Sequence, residues 1–513
     1  MSIVQQGALN TTALVVPGLY VQIIPPQVAA LNGVPTNVLG IVGTAQWGPV
    51  NTPTIIGTMS AYAATFGAVQ NRKYDLGTAA AIATLQGANN FRCVRVTDGT
   101  DVAASAVVTT EITYTALYTG TLGNSVTVTL TAGGATGSFN AQIGIPGLPV
   151  ENFTNITGTG NAFWVNLASA INIGQGALRG PSQIITAVAG AATTAPAASV
   201  TTLSGGTDGA TTITASVLVG QDIIPRKGMY TLRGQGCSIG ILADADDTTQ
   251  WTYQVAFGLS EGVYMMLALP AGTTVAAAVT AVQTAGVPNY AAKVMQGDWL
   301  YWFDQTNAVQ RLVSPQAFVG GLLANLSPEQ SSLNKQLYGI IGSQTFGTPG
   351  TNHANHYASA DLQTLFQAGI DVIGNPAPGG AYWSVLGGVN SSLNAAQNGD
   401  NYTRLTNYIA ATLNAGMGFY IGKLISTTLM QNVRATISGF LNNMWNQGML
   451  GATTGPRPYN VTCDPTNNPQ SRTSLGYLQA DVPVTYAPIN KFFLVNLQGG
   501  QTVTVSQTAL PQN

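Results

Sequence analysis

What this sequence lacks first is charge. Of its 513 residues, 17 are Lys or Arg and 19 are Asp or Glu, 7% in all; an ordinary soluble chain carries roughly 25%. A formal net charge of −2 with no basic run excludes nucleic acid as the main partner, because phosphate binding needs clustered cations. The same shortage argues against an anionic membrane surface. Arg72 is the first charged side chain, so the positive n-region of a secretory signal is missing. No apolar run approaches the ~18 residues of a spanning helix. A soluble chain, made and used without Sec export or membrane insertion, is expected. Apolar residues are not scarce, at 45%, and together with the low net charge they exclude a disordered chain.

Cysteine and histidine are nearly absent. Cys93, Cys237 and Cys463 are far apart with no CxxC, which excludes a zinc knuckle or a disulfide framework and reads as three small buried hydrophobes. The histidines are His353 and His356, in Thr-Asn-His-Ala-Asn-His. Three apart on a helix they would supply half a metal site, but the run reads as a polar loop and the nearest carboxylate is Asp361. A Walker A loop is also missing; the nearest approach, Gly418 to Lys423, has the wrong spacing.

Two motifs carry possible chemistry. Gly236-Cys237-Ser238-Ile239-Gly240 matches GxSxG, the nucleophile elbow, which needs a strand before the serine and a helix after it. Here a loop-like Leu-Arg-Gly-Gln-Gly precedes Ser238 and the apolar Ile239 to Ala243 follows, so the serine opens a strand. Asp244, Asp246 and Asp247 come next. They could form a cation loop, but they read more simply as a cap and first-turn acids for a helix beginning near Thr248.

Little charge on a soluble surface has its own meaning. Charged groups are depleted at the cores of interfaces, so a chain that buries much of its surface against copies of itself needs fewer. An obligate assembly is expected.

What is present is organised in blocks. Residues 102–207 are rich in Thr, Ala, Gly and Val, with Glu111, Glu151 and Arg179 as their charges. Ser125 to Leu130 alternates polar and apolar, the period of a half-buried strand. The flanks read as strand–helix–strand: Leu39 to Gly43, an Ala-rich helix from Gly77 to Gly87, Phe91 to Val96, then Ser238 to Ala243, a helix to Glu261, and Val263 to Leu269. Leu429, Val433, Ile437, Phe440, Leu441 and Met444 form one stripe of a long amphipathic helix that Gly448 ends. Leu405, Ile409 and Leu413 mark a shorter helix before it. Val482 to Tyr486 and Phe492 to Leu497 read as strands. Both termini read as arms: Leu14, Val15, Val16, Tyr20, Val21 and Ile23 flank Pro17-Gly18, and Thr502, Val503, Thr504 and Val505 alternate after Gly499-Gly500. Such end strands can pair with their own sheet or with a neighbour's edge. The fold expected is a mixed α+β, multidomain chain: an α/β core formed from both ends, a β-rich inserted domain and extended terminal arms.

The order of several motifs resembles contractile tail sheath proteins of phages, tailocins and injection systems. The opening runs Val16-Pro17-Gly18-Leu19-Tyr20-Val21, Gly33-Val34-Pro35-Thr36, Val42-Gly43-Thr44-Ala45, Gly48 to Pro53 and Phe66-Gly67. Tyr118 to Asn124 is similar to the family's Tyr-x-Gly-x-x-Gly-Asn turn, and Leu203 to Gly209 to its Leu-x-Gly-Gly-x-Asp-Gly. Ser314-Pro315 through Gly321, Asp361 through Asp371 (Asp where the family has Asn), Thr403-Arg404 and Phe440 through Gly448 continue the likeness.

The resemblance implies a structural subunit without catalytic residue, metal or cofactor. Copies would stack as hexameric rings in a helical lattice around an inner tail tube and contract to drive the tube through a target envelope. Its partners would be itself, the tube protein, and baseplate and tail terminator proteins, with no nucleic acid contact. It would act in the virion tail, assembled in the bacterial host cytoplasm. The terminal strands above would pair with neighbours, with Val482, Val484, Tyr486, Phe492 and Leu494 as the accepting sheet. The division implied is an arm at 1–26, core at 27–100, an outward-facing β insertion at 101–209, further core at 210–350, a tube-proximal domain at 351–498 and an arm at 499–513. Lys423 and Arg434 are available for charged contacts to a tube. A non-contractile shell or tube protein, and a serine hydrolase built on Ser238, are the alternatives.

Overall fold

The computed structural model describes residues 2–4, 20–22, 31–108, 110–348, 356–451 and 456–497. At the N-terminus β1 (Ser2–Val4) pairs in parallel with β2 (Tyr20–Gln22). The core begins with β3 (Leu39–Gly43), β4 (Thr54–Ile56), α1 (Met59–Phe66), α2 (Leu76–Leu85) and β5 (Phe91–Arg95). A β-rich stretch follows: β6 (Ser105–Val108), β7 (Ile112–Ala116), β8 (Thr127–Ala132), β9 (Phe139–Gly144), β10 (Glu151–Ile156), α3 (Asn161–Ile173), β11 (Ile185–Ala189) and β12 (Ser199–Thr202). The chain then returns to the core through α4 (Ala215–Val219), β13 (Ile239–Leu242), α5 (Trp251–Glu261), β14 (Tyr264–Ala268), α6 (Val275–Ala285) and β15 (Ala292–Met295). Next come β16 (Leu300–Asp304), β17 (Val309–Val313), α7 (Gln316–Asn325), β18 (Ile340–Ser343), α8 (Ser359–Gln367) and β19 (Ile370–Asp371), and then the helices α9 (Asp400–Gly416) and α10 (Thr427–Asn446).

Seven strands make the central sheet, in the order β19-β15-β14-β13-β3-β5-β4, all parallel except β4. Strands from before and after the β-rich stretch therefore lie side by side. Parallel strands need both faces covered, and the sequence supplies that. In β3, Leu39 and Ile41 pack with α1, α2 and α7 on one face, while Val42 packs with α4, α5, α6 and α8 on the other.

The β-rich stretch has a buried core of its own, built from Tyr114, Val128, Ile143, Phe153 and the inner face of α3. It is held to the sheet by charge. Arg72 bonds the Asp208 carboxylate at 2.6 Å, and fully buried Arg95 donates to the carbonyls of Gly48 and Thr119 at 2.8 and 2.7 Å.

A fourth cluster joins α9 and α10 to residues 449–486. All six residues of the stripe from Leu429 to Met444 are buried there, as the periodicity requires. Ser426 caps α10 by accepting from the Leu429 N–H at 3.1 Å.

Two expected strands come out differently. Of the expected Val482 to Tyr486, the stretch up to Thr485 is paired along one side with residues 458–462, through Thr462 N–H to Asp481 O (2.9 Å), Asn460 N–H to Pro483 O (3.1 Å) and Thr485 N–H to Pro458 O (2.7 Å), while Tyr486 bridges to Leu450. Pro483 has no N–H to return the second bond, so the pairing stays a series of isolated bridges. Phe492 to Leu497 joins no strand. Phe492 is 91% and Leu494 81% exposed, and the alternation that reads as a strand finds no ladder among the described residues.

Candidate functional site

The C-terminal unit carries the feature best suited to contact another molecule. Residues 481–486 lie on the platform of α9 and α10 with alternate side chains turned inward. Tyr486 hydroxyl meets Thr406 Oγ1 at 3.0 Å, and its ring stands edge-on to Tyr402 at 5.7 Å. Tyr459 anchors the paired segment by donating to Ser438 O of α10 at 3.2 Å. One side of 481–486 is occupied by 458–462. On the other, the backbone N–H and C=O groups of Val482 and Val484 have no partner among the described residues. Those groups are strong, obligatory hydrogen-bonding groups, so an open edge of this kind is a template for an added strand.

Apolar surface accumulates around it. Phe492, Phe493, Leu494, Val495 and Leu497 are all at least 66% exposed, and Ile421 and Leu424, in the turn between α9 and α10, are 85% and 91% exposed. A groove of about 450 Å³ opens beside that turn, lined by Met417, Ile425, Val433, Leu478 and Val482. Lys423 lies 3.4 Å above the Phe419 ring, a cation–π contact, and Arg434 is exposed on α10.

The other sequence candidates have structural duties. Ser238 precedes β13 and donates to the carbonyls of Thr36 and Val38 at 2.8 and 3.1 Å; a strand follows it, so it stands on no nucleophile elbow. His356 Nδ1 lies 3.0 Å from Asn375 O; His353 lies outside the described residues. The three aspartates disperse: Asp244 accepts from Ser314 N–H at 2.9 Å, Asp246 pairs with Lys73 at 2.9 Å, and Asp247 caps the turn at Thr248 by accepting from Thr249 N–H at 2.9 Å. Among the described residues no cluster of three or more His, Cys, Asp or Glu could hold a metal. No helix there is long and apolar enough to cross a membrane. Cys93, Cys237 and Cys463 are free and buried, and burial pushes the Cys237 thiol up to about 12. Of the arm strands, Tyr20 and Val21 lie in β2. Leu14, Val15, Val16, Ile23, Thr502, Val503, Thr504 and Val505 lie outside the described residues.

The sequence reading missed a buried ionic centre that fixes α9 to the sheet. Lys293 of β15 is fully buried and donates to Asp371 at 2.6 Å, Asp400 at 2.9 Å and Val389 O at 2.8 Å. Burial alone would raise the Asp400 carboxyl. The Lys293 ammonium and hydrogen bonds from Ser332 and Tyr264 outweigh it and hold the group below its usual range. A lysine inside an otherwise apolar strand, in a chain so poor in charge, was the available signal. Arg404, on the next turn of α9, donates to Leu326 O and Ser327 O at 2.7 and 2.8 Å, and so satisfies the carbonyls just past the end of α7.

Comparison with solved structures bears directly on this arrangement. The sheath tail protein of Listeria innocua superposes with a TM-score of 0.61 at 15% identity, over 85% of this chain and 90% of that one. This chain has the sheath fold. A Desulfitobacterium hafniense sheath tail protein gives a TM-score of 0.56 at 15% identity, over 87% of this chain and 93% of that one. The contracted helical sheath of the anti-feeding prophage gives 0.56 at 11%, over 95% of this chain and 99% of that one. No protein-family model and no curated protein sequence matches the chain, so the likeness is carried by the sheath fold alone.

Proposed function

We propose that this chain is the structural subunit of a contractile sheath. Its copies stack as hexameric rings around an inner tail tube, meet a baseplate at one end and a terminator at the other, and contract to drive the tube through a target envelope. The division into arms, core, outward insertion and tube-proximal domain given above belongs to the same proposal. The observation that carries it is the sheath fold along nearly the whole chain, shared with a sheath in its contracted state. Three features of this chain support it: the open edge at Val482 and Val484, the exposed apolar segment from Phe492, and a 7% charge content.

In this reading the edge at Val482 and Val484 accepts a terminal strand of a neighbouring copy, and Thr502 to Val505 or the N-terminal strand supplies it. A four-residue strand offers several backbone bonds at a net ~1 kcal/mol each, and heterologous contacts repeat them along the lattice. Copies so linked can rotate without parting, while the contracted lattice gains burial of apolar surface such as Phe492 and Leu424.

Electron microscopy of the purified chain, beside a variant ending at Gly500, tests the proposal. Tubes or stacked rings from the full chain, lost or shortened in the variant, are the expected result. Dispersed particles from both would count against it.

A further inference from the structure

The β-rich stretch between residues 105 and 202 is a sheet bent almost into a barrel, and its one gap is filled by a helix. Around the wall the order is β10-β9-β8-β12, then β6-β7-β11. The two sheets join at β12 and β6 by backbone bonds from Ser105 N–H to Ser204 O (2.9 Å) and from Ser204 N–H to Ser105 O (3.1 Å). Among the described residues β10 and β11 remain as edges, each with one side that no strand pairs. α3 lies between them, with Phe163, Leu167 and Ile171 turned into the barrel.

The same helix closes both edges with side-chain amides. Asn172 Oδ1 accepts the Ala187 N–H at 2.9 Å and its Nδ2 donates to Ala187 O at 2.6 Å. Gln175, just past the helix, does the same for β10: its Oε1 accepts the Thr154 N–H at 2.9 Å and its Nε2 donates to Thr154 O at 2.8 Å. In each case one amide fills both backbone valences of one edge residue, as a neighbouring strand would. Asn161 continues the seal beyond β11 by donating to Gly190 O at 2.6 Å, and Asn166 continues it beyond β10 by donating to Thr157 O at 2.8 Å. The edges need closing by such means because charge, the usual deterrent on an edge strand, is scarce: β11 carries none, and β10 has only Glu151 at its start, paired with Arg179 at 2.8 Å. Val188 on β11 is 70% exposed.

We propose that Asn172 and Gln175 are edge guards that deny this module to a second copy of the chain, so that strand exchange between copies is confined to the open edge at Val482 and Val484. The confinement rests on the sheath reading; the guarding does not. In a polymer, copies sit at high local concentration, and an unguarded charge-free edge would pair out of register with its neighbour.

The test uses the full chain with Asn172→Leu and Gln175→Met, near-isosteric changes that remove both amides. Hydrogen exchange at Ala187 and Thr154 is expected to quicken roughly fivefold or more, the factor for one backbone bond lost. New soluble aggregates should appear by light scattering, and adding Val188→Lys and Thr154→Lys, which put a charge on each freed edge, should suppress them. Faster exchange without association would overturn the guard and leave the amides as ordinary satisfiers of buried backbone. Association that the two lysines leave unchanged would overturn it too, since exposure through partial unfolding ignores an edge charge. If the double variant does not fold, Asn172→Leu alone, which removes both bonds to Ala187 and adds no charge, carries the same two readings at β11. None of these outcomes depends on tubes forming, so the guard can fail while the sheath reading stands, and the reverse.

Discussion

Lys293 holds a charge where no water reaches it, and the cost is met by Asp371 and Asp400 within 2.9 Å. Removing one partner of such a group strands the others. Lys293→Met is expected to cost about 3–5 kcal/mol, read as a lowered denaturation midpoint; an unchanged midpoint would mean the centre is dispensable. Asp75 runs the other way. It caps α2 and is fully buried, and burial raises its carboxyl to about 6 although Arg72 and the hydrogen bonds from Thr78 and Gln70 oppose the rise. Because the folded value lies above the ordinary ~3.9, its contribution to stability is complete below that value and is lost as pH rises through about 6. The loss at neutral pH is about 2–3 kcal/mol. Unfolding curves of the wild type should therefore weaken between pH 5 and 7 by more than those of Asp75→Asn, and parallel curves would contradict the assignment. At this scale the sequence was legible where chemistry was local. Cysteines far apart read as buried thiols, and Asp247 read as a cap. The triad was not legible, because Lys293, Asp371 and Asp400 meet only when β15, β19 and α9 come together.

Elements were legible in proportion to how far their stability lies within themselves. α10 shows its stripe because a helix forms its own hydrogen bonds and needs only a face to bury. β3, β13 and β14 were readable from continuous apolar runs, which both-face burial demands; β5 was readable although Arg92 and Arg95 interrupt it. The C-terminal strands were not, since a strand is defined by its partner. At 481–486 the partner is present but Pro483 interrupts the ladder; from Phe492 on, none of the described residues pairs with it. Pro483→Thr should restore one bond, to Asn460 O, worth ~1 kcal/mol and partly offset by the unfolded chain's regained freedom. The introduced amide is expected to exchange slowly, and free exchange would show that 458–462 and 481–485 are not a ladder in solution. Gly33 shows how tightly the N-terminal segment approaches α9: a Cβ there would stand 1.8 Å from the Tyr408 hydroxyl. Its place in the sequence pattern could be read, but the close approach that requires glycine could not.

At the scale of the whole molecule, scarcity of charge, an exposed apolar segment from Phe492 and an open edge point to a surface finished by other copies. In the proposed sheath each copy would be both donor and acceptor of a strand. The β-rich module, sealed by Asn172 and Gln175, stands apart from that exchange. The most direct measurement is disulfide trapping between two differently marked populations. Subunits with Val484→Cys are mixed with subunits with Val503→Cys, assembled and oxidised; the native cysteines, being buried, remain silent. Covalent dimers that need both populations are predicted, and they should disappear when the second population ends at Gly500. Assembled particles that yield only monomers after oxidation would contradict linkage through the C-terminal strand.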